Sequence, residues 1–228
     1  MKFTGIGLYT FHEASRFTRI PVRDLRRWFD GYSYRNKAHA EAVSVPPLWE
    51  SELADEGMYG ISFHDLLEIR FVQAFRQHGV SLQTIRLASR QARALFDTPY
   101  PFTSQRFQTD GRTIFASAME ATGETALLDL VKRQYAFRKI IEPSLYRGIE
   151  FNQNHVATRW YPSLRSKAVV LDPEIAFGKP IVSDGSVRTS ILYDTCVAEG
   201  DRNFVAKLYE VPIAAVDAAV AFEESLAA

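Results

Sequence analysis

Apolar residues recur at helical spacing in blocks along this chain, and the first two blocks are separated only by a tight turn. Phe11, Ala14 and Phe17 fall on one face of a short helix. Thr10 with Glu13 three positions on has the form of a capping box, in which hydroxyl and carboxylate each satisfy an orphan amide, so the helix is predicted to start at Phe11. Thr18-Arg19-Ile20 reads as a turn into Pro21, whose fixed φ suits a helix start. In the helix that follows, Val22, Leu25, Trp28 and Phe29 share an apolar side. Arg23 and Arg27 sit one turn apart on the opposite side, with Arg26 on the flank.

Beyond the glycine stop at Gly31, the segment Tyr32-Ser33-Tyr34-Arg35-Asn36-Lys37 has a period of two and reads as a strand of a basic β wing. Ser62 with Asp65 at N3 caps a helix that runs to His78 and stops at Gly79. Ser81 caps another, from Leu82 to about Phe96, with Leu82, Ile85, Ala88, Ala92 and Leu95 on one face. Alternation around Asp110-Gly111 predicts a hairpin over 106–115, and a helix is expected from about Thr125 to Ile141, ending before Pro143. Strands are expected at 156–161 and 168–171, the latter opening a hairpin that returns through 176–182. Three short helices close the pattern: Thr189 caps the first, which Gly200 ends; Asp201 caps the second; Pro212 starts the third, with Ile213, Val216, Val220 and Phe222 inward.

The elements describe an α+β, mainly helical chain: an N-terminal winged helix-turn-helix, a mixed α/β middle section, and a small C-terminal three-helix domain preceded by a β-hairpin. The boundaries expected are 1–96, 97–166 and 167–228.

Charge sharpens this picture. The chain is formally neutral, yet residues 1–40 hold eight Lys/Arg against three Asp/Glu, a balance of +5. Arginine forks match guanine edges and phosphate oxygens, so an outward row on a second helix suits the DNA major groove. A solvated basic face on an ordinary helical hairpin is the competing reading. Arg16, Arg23, Arg26, Arg27, Tyr34, Arg35 and Lys37 are the DNA-contact candidates. Residues 132–167 carry eight Lys/Arg and two Asp/Glu, a balance of +6, interleaved with Tyr135, Phe137, Trp160 and Tyr161. Such a surface could grip nucleic acid or cover an acidic protein site, and buried aromatics with solvated helix faces would also produce it. Residues 167–228 hold five Lys/Arg and ten Asp/Glu, a balance of −5, so phosphate would be repelled there and a dimer or protein contact is expected.

Leu8-Tyr9-Thr10 leading into Glu13-Ala14, then Leu25-Arg26-Arg27-Trp28, resembles the winged helix-turn-helix of MerR-type regulators, as does the helix, Gly-Val-Ser, helix order around residue 80. The segment from Lys37 to Gly60 departs from that pattern: with Pro46-Pro47, Trp49 and a charge of −5 over 41–60, it makes a longer wing with an acidic far end. Phe177-Gly178-Lys179-Pro180-Ile181-Val182 ahead of three helices is similar to domain of unknown function family 433. Many members have Gly-Thr-Arg after the hairpin, where this chain has Asp184-Gly185-Ser186-Val187-Arg188-Thr189, so no role is transferred to Arg188.

Together the two pieces resemble a VapB-type antitoxin over essentially the full length. The resemblance implies a type II toxin-antitoxin function: binding and neutralising a PIN-like ribonuclease toxin, whose active site is a metal-binding acidic cluster, and repressing the shared operon at double-stranded operator DNA as a homodimer. Arg159, Trp160, Tyr161 and Arg165 are the expected toxin contacts, with the acidic helices after Thr189 as the other candidate surface. The alternative is a stand-alone MerR-like regulator responding to a small-molecule effector; a metal sensor would be expected to carry several cysteines, and this chain has only Cys196.

Catalysis finds little support. His12, His39, His64, His78 and His155 fall in separate elements without metal-ligand spacing, and no serine sits in a nucleophile elbow, so no enzyme, metal or cofactor is expected. No apolar run approaches ~20 residues and Met1-Lys2-Phe3 opens no signal sequence, which predicts a cytoplasmic protein without a membrane partner.

Overall fold

Thr10 opens α1 (Phe11–Thr18) with both halves of its capping box formed: its hydroxyl accepts from the Glu13 amide at 3.1 Å, and the Glu13 carboxylate accepts from the Thr10 amide at 2.8 Å. Arg19 closes the helix in the left-handed region at φ 61°, its amide donating to the Ser15 carbonyl at 2.8 Å. The chain then turns through Ile20 and Pro21 into α2 (Val22–Asp30), which buries Leu25 and Trp28 as the periodicity predicts. This computed structural model describes residues 5–35, 42–55, 57–123, 145–163 and 166–227. Within it the chain divides into two units, one spanning Thr10–Leu145 and the other joining Met1–Tyr9 to Tyr146–Ala228.

In the first unit, β1 (Tyr32–Arg35) pairs antiparallel with β2 (Ala42–Val45), Tyr32 facing Val45 and Arg35 facing Ala42. Gly31 makes the bend between α2 and this wing at φ 71°, where a Cβ would lie 2.3 Å from the Val45 carbonyl oxygen, so only glycine fits. After the short α3 (Glu52–Asp55) come α4 (Phe63–Gln77), capped by Ser62 and Asp65, and α5 (Leu82–Phe96), capped by Ser81. Leu95, predicted on the buried face of α5, is 56% exposed, and its neighbour Phe96 turns inward instead.

The hairpin expected over 106–115 is instead part of α6 (Arg106–Thr122). Phe107, Gly111, Ile114, Phe115, Ala118 and Met119 are buried at helical spacing, and that apolar face overrides the Asp-Gly turn signal. Gly111 lies beneath the Phe107 ring, 2.8 Å from where a Cβ would sit, so it serves as a packing glycine within the helix. The core gathers around Phe75 of α4, whose ring centroid is 5.1 Å from Phe102, 6.2 Å from Phe107 and 4.6 Å from Phe115. The helix expected over 125–141 lies outside the described residues.

The second unit starts with β3 (Ile149–Phe151), which the sequence reading missed. It pairs antiparallel with β4 (Ala157–Trp160), Ile149 opposite Trp160. A single bridge, Trp160 to Leu171, leads on to β5 (Val169–Val170), which forms the expected hairpin with β6 (Ile181–Val182). Next are α7 (Thr189–Glu199), α8 (Arg202–Leu208) and α9 (Ile213–Ala227), packed around Val182, Leu192, Val205, Val216 and Ala219. Two expectations are corrected. Arg188, not Thr189, is the N-cap of α7, because the Thr189 hydroxyl is buried and donates to the Glu223 carboxylate at 2.6 Å. Ile213 at the start of α9 is 42% exposed, since Val216 and Val220 define the inward stripe.

One buried acid makes the first unit sensitive to pH. Glu68 of α4 is 2% exposed and accepts the Thr103 amide at 2.9 Å and the Thr103 hydroxyl at 3.2 Å; burial pushes its carboxyl from 4.5 up to about 8, against the pull of nearby Arg93. Between those two values the folded chain keeps a proton that the unfolded chain has released. Its contribution is therefore fully present below about 4.5 and lost as pH rises through about 8. Urea unfolding of wild type is expected to weaken by up to a few kcal/mol between pH 5 and pH 8 on this account. Glu68→Gln should reduce that slope to the part left by the other buried carboxyl of α4, Asp65, and equal slopes in the two proteins would refute a neutral Glu68.

Candidate nucleic-acid interface

Burial of Leu25 and Trp28 turns the opposite side of α2 to solvent, and with it Arg23, Arg26 and Arg27. The Arg23 side chain is 82% exposed, its Nε 3.5 Å from the Asp24 carboxylate, a surface pair too loose to hold it. Arg26 lies 5.7 Å over the Phe11 ring. Arg27 sits 4.2 Å over the ring of Tyr32 in β1, a cation–π contact that ties the helix to the wing. Along the wing, Tyr34 is 49% exposed with its ring 6.2 Å from that of Tyr32, and Arg35 is exposed beside it. Arg16 is exposed on the last turn of α1. These six candidates thus share the first unit, while Lys37 lies outside the described residues.

What aims α2 is a buried carboxylate. Asp65 accepts from the Trp49 indole Nε1 at 2.7 Å, from the Ser51 hydroxyl, and from the Ser62 amide at 2.9 Å. Burial pushes this carboxyl above its ordinary value even though all three donors favour the charged form. Trp49 packs edge-on against Phe29 of α2 with ring centroids 5.1 Å apart, and the Leu48 amide donates to the Trp28 carbonyl at 2.8 Å. From the other side, Arg86 of α5 donates to the Pro46 carbonyl at 2.8 Å. Neither the indole contact nor Arg86 was foreseen, because both join segments far apart in sequence; the one available signal was a lone tryptophan after Pro46-Pro47.

Of the expected toxin contacts, Arg159 and Trp160 lie in β4 of the second unit and Tyr161 follows it. Trp160 is 6% exposed and forms the bridge to Leu171, which makes it a core residue of the hairpin and removes it from the exposed face. Arg159 is held by Asp172, Nε to Oδ2 at 2.6 Å, and lies 3.9 Å from Glu150. Tyr161 is half-buried under Lys167, whose Nζ is 4.7 Å from the ring, and Arg165 lies outside the described residues. Among the described residues no group of three His, Cys, Asp or Glu side chains is arranged to hold a metal, and no helix is long and apolar enough to cross a membrane.

These features define a helix-turn-helix protein of the DNA-binding kind, and a family model described as "Putative DNA-binding HTH domain" matches residues 7–89. The chain is 32% identical over 195 residues to "Putative antitoxin VapB45" of Mycobacterium tuberculosis, covering 81% of this chain and 80% of that protein, and it belongs to the same antitoxin family. The crystal structure of Rv2018 from Mycobacterium tuberculosis superposes with a TM-score of 0.66 at 27% identity, covering 95% of this chain and 99% of that one.

Asp65 is buried, and while Ser51 and Ser62 both donate to its Oδ2, Trp49 donates to its Oδ1, so losing the indole strips that oxygen of its donor. Trp49→Phe keeps the ring and removes the indole donor, so it is expected to destabilise the chain by about 1–3 kcal/mol. Denaturant unfolding measures this, and an unchanged midpoint would show that the indole bond contributes nothing.

Proposed function

We propose that this chain is the antitoxin of a type II toxin-antitoxin pair: it binds operator DNA through α2 and the wing, represses its own operon, and neutralises a PIN-like ribonuclease toxin without catalysis of its own. The observation that carries the DNA half is the outward row Arg23, Arg26 and Arg27 on a helix anchored by Leu25 and Trp28, with Arg27 braced on the wing through Tyr32. The antitoxin half rests on membership in the family of VapB45. A MerR-like ancestry for the first unit agrees with its order of helix, turn, helix, wing and two capped helices. A family 433 origin for the end of the chain agrees with the β5–β6 hairpin that precedes α7, α8 and α9. Homodimerisation would match palindromic operators, and such a protein would act in the cytoplasm.

For the toxin we propose the helices after Thr189. Phe204 and Leu208, 46% and 54% exposed, lie one turn apart on α8, flanked by Asp201 and Glu210. Two exposed apolar side chains at i and i+4 make the anchor that helix-mediated recognition uses. Of the strand residues considered above, Trp160 is buried and Arg159 is engaged by Asp172.

Fluorescence anisotropy with DNA from upstream of the gene tests the first half. Arg23→Ala or Arg27→Ala should cost roughly 1–3 kcal/mol, about 5- to 150-fold, and more than Arg202→Ala. Wild-type affinity in a folded triple alanine variant of Arg23, Arg26 and Arg27 would overturn the assignment. Co-expression with a PIN-like ribonuclease encoded beside this gene tests the second half. Phe204→Asp with Leu208→Asp should lose both co-purification and rescue of growth, whereas charge reversal at Arg159 should retain them. The opposite result moves the toxin site to the strands, and the lack of any such neighbouring gene removes the toxin reading.

A further inference from the structure

A second basic feature of the first unit lies beside the outward row of α2. An open cleft of about 460 Å³ is lined by Arg19 from the α1–α2 turn, Asp24 and Arg27 from α2, and Gln73, Arg76 and Gln77 from the end of α4. Three arginines from three elements thus line one concavity whose lining includes the Asp24 carboxylate, and Asp24 also faces Arg23 at 3.5 Å. Each cation is placed by the fold. The left-handed backbone at φ 61° sets the direction of Arg19. The Arg76 Nη1 donates to the Val80 carbonyl at 2.8 Å and so is held across the α4–α5 turn, while Arg27 rests on the Tyr32 ring.

Like charges gathered along one concave surface repel one another, and an anion seated among them relieves that repulsion. Gln73 and Gln77, one turn apart on α4, add neutral amide donors for an anion with several acceptor oxygens. A tetrahedral phosphate oxyanion has that charge and that set of acceptors. The cleft shares Arg27 with the outward face of α2, so a duplex lying on that face would bring its own phosphates alongside.

We propose that this cleft clamps a backbone phosphodiester of the bound DNA through Arg19 and Arg76, fixing the register of α2 in the groove, an inference that rests on the DNA-binding reading above. Arg19 and Arg76 then contribute affinity without sequence preference, unlike Arg23.

Anisotropy titrations of the full chain at several salt concentrations, on operator and on unrelated duplex, test this. Arg19→Ala and Arg76→Ala should each weaken both duplexes by a similar factor and flatten the log–log salt slope by about 1, with Arg76→Lys restoring it. Arg112→Ala, on the exposed side of α6, should change neither quantity. Folded Arg19→Ala and Arg76→Ala variants with wild-type slope and affinity would overturn the clamp while leaving the DNA reading intact. Wild type that binds no duplex would overturn both. Inorganic phosphate supplies the remaining arm: a melting shift in phosphate over chloride at matched ionic strength that both variants lose, with DNA slopes unchanged, assigns the cleft to a free anion and refutes the backbone contact.

Discussion

The position of every arginine on α2 depends on one desolvated carboxylate. Taking Asp65 out of water costs several kcal/mol, and that cost is offset only when each oxygen finds donors. The chain supplies them from three places: the Ser62 amide at the head of α4, the Ser51 hydroxyl ahead of α3, and the Trp49 indole at the base of the wing. Moving any one of these segments breaks a buried bond, so the three move together. Trp49 in turn fixes Phe29, and the Leu48 amide fixes the Trp28 carbonyl, so the end of α2 is held by the same network that caps α4. The placement of α2 is thus set by loops and caps more than by helix propensity.

Local signals in this chain were legible, and long-range ones were not. Thr10 with Glu13 and Ser62 with Asp65 are each closed within four residues, so both caps could be read without knowing the fold. The second duty of Asp65 could not, because its indole partner is 16 positions away and no period links them. Around Asp110-Gly111 two signals conflicted. A turn dipeptide and alternating residues favoured a hairpin, while Phe107, Gly111, Ile114, Phe115 and Ala118 carried the helical period over a longer window, and the longer pattern buried more surface. Trp160 shows the complementary limit: Arg159, Trp160 and Tyr161 were expected on one contact surface, but which residues of β4 are buried was decided by β3 and Leu171, partners the sequence did not reveal.

The same logic leaves the two halves of the chain with different surfaces. In the first unit the apolar stripes are consumed by the Phe75 cluster and by Leu25 and Trp28, so what remains outside on α2 is charge. In the second unit α8 is short, spanning only Arg202–Leu208. Seven residues cannot turn every apolar side chain inward: Val205 and Ala206 reach the core, and Phe204 and Leu208 are left outside. Exposed aromatic and aliphatic groups among carboxylates are poor ligands for phosphate and good ones for protein.

The Phe177-Gly178-Lys179-Pro180 stretch, which carried the family 433 resemblance, owes its composition to the docking of residues just ahead of α1. Ala176 and Phe177 both sit in the left-handed region at φ 50° and 55°, a strain of order 1–3 kcal/mol each that persists only where neighbours hold it. The Leu8 amide donates to the Phe177 carbonyl at 2.9 Å, and the Tyr9 hydroxyl donates to the Gly178 carbonyl. A Cβ at Gly178 would lie 2.5 Å from the Tyr9 hydroxyl oxygen, so the glycine is required by that approach as well as by its φ of 76°. Lys179 lies 5.4 Å over the Tyr9 ring, and the Pro180 carbonyl accepts from the Thr189 amide at 3.0 Å. The motif therefore joins the segment ending at Tyr9 to the first turn of α7, which is why a unit ending at Ala228 begins before the helix-turn-helix rather than after it.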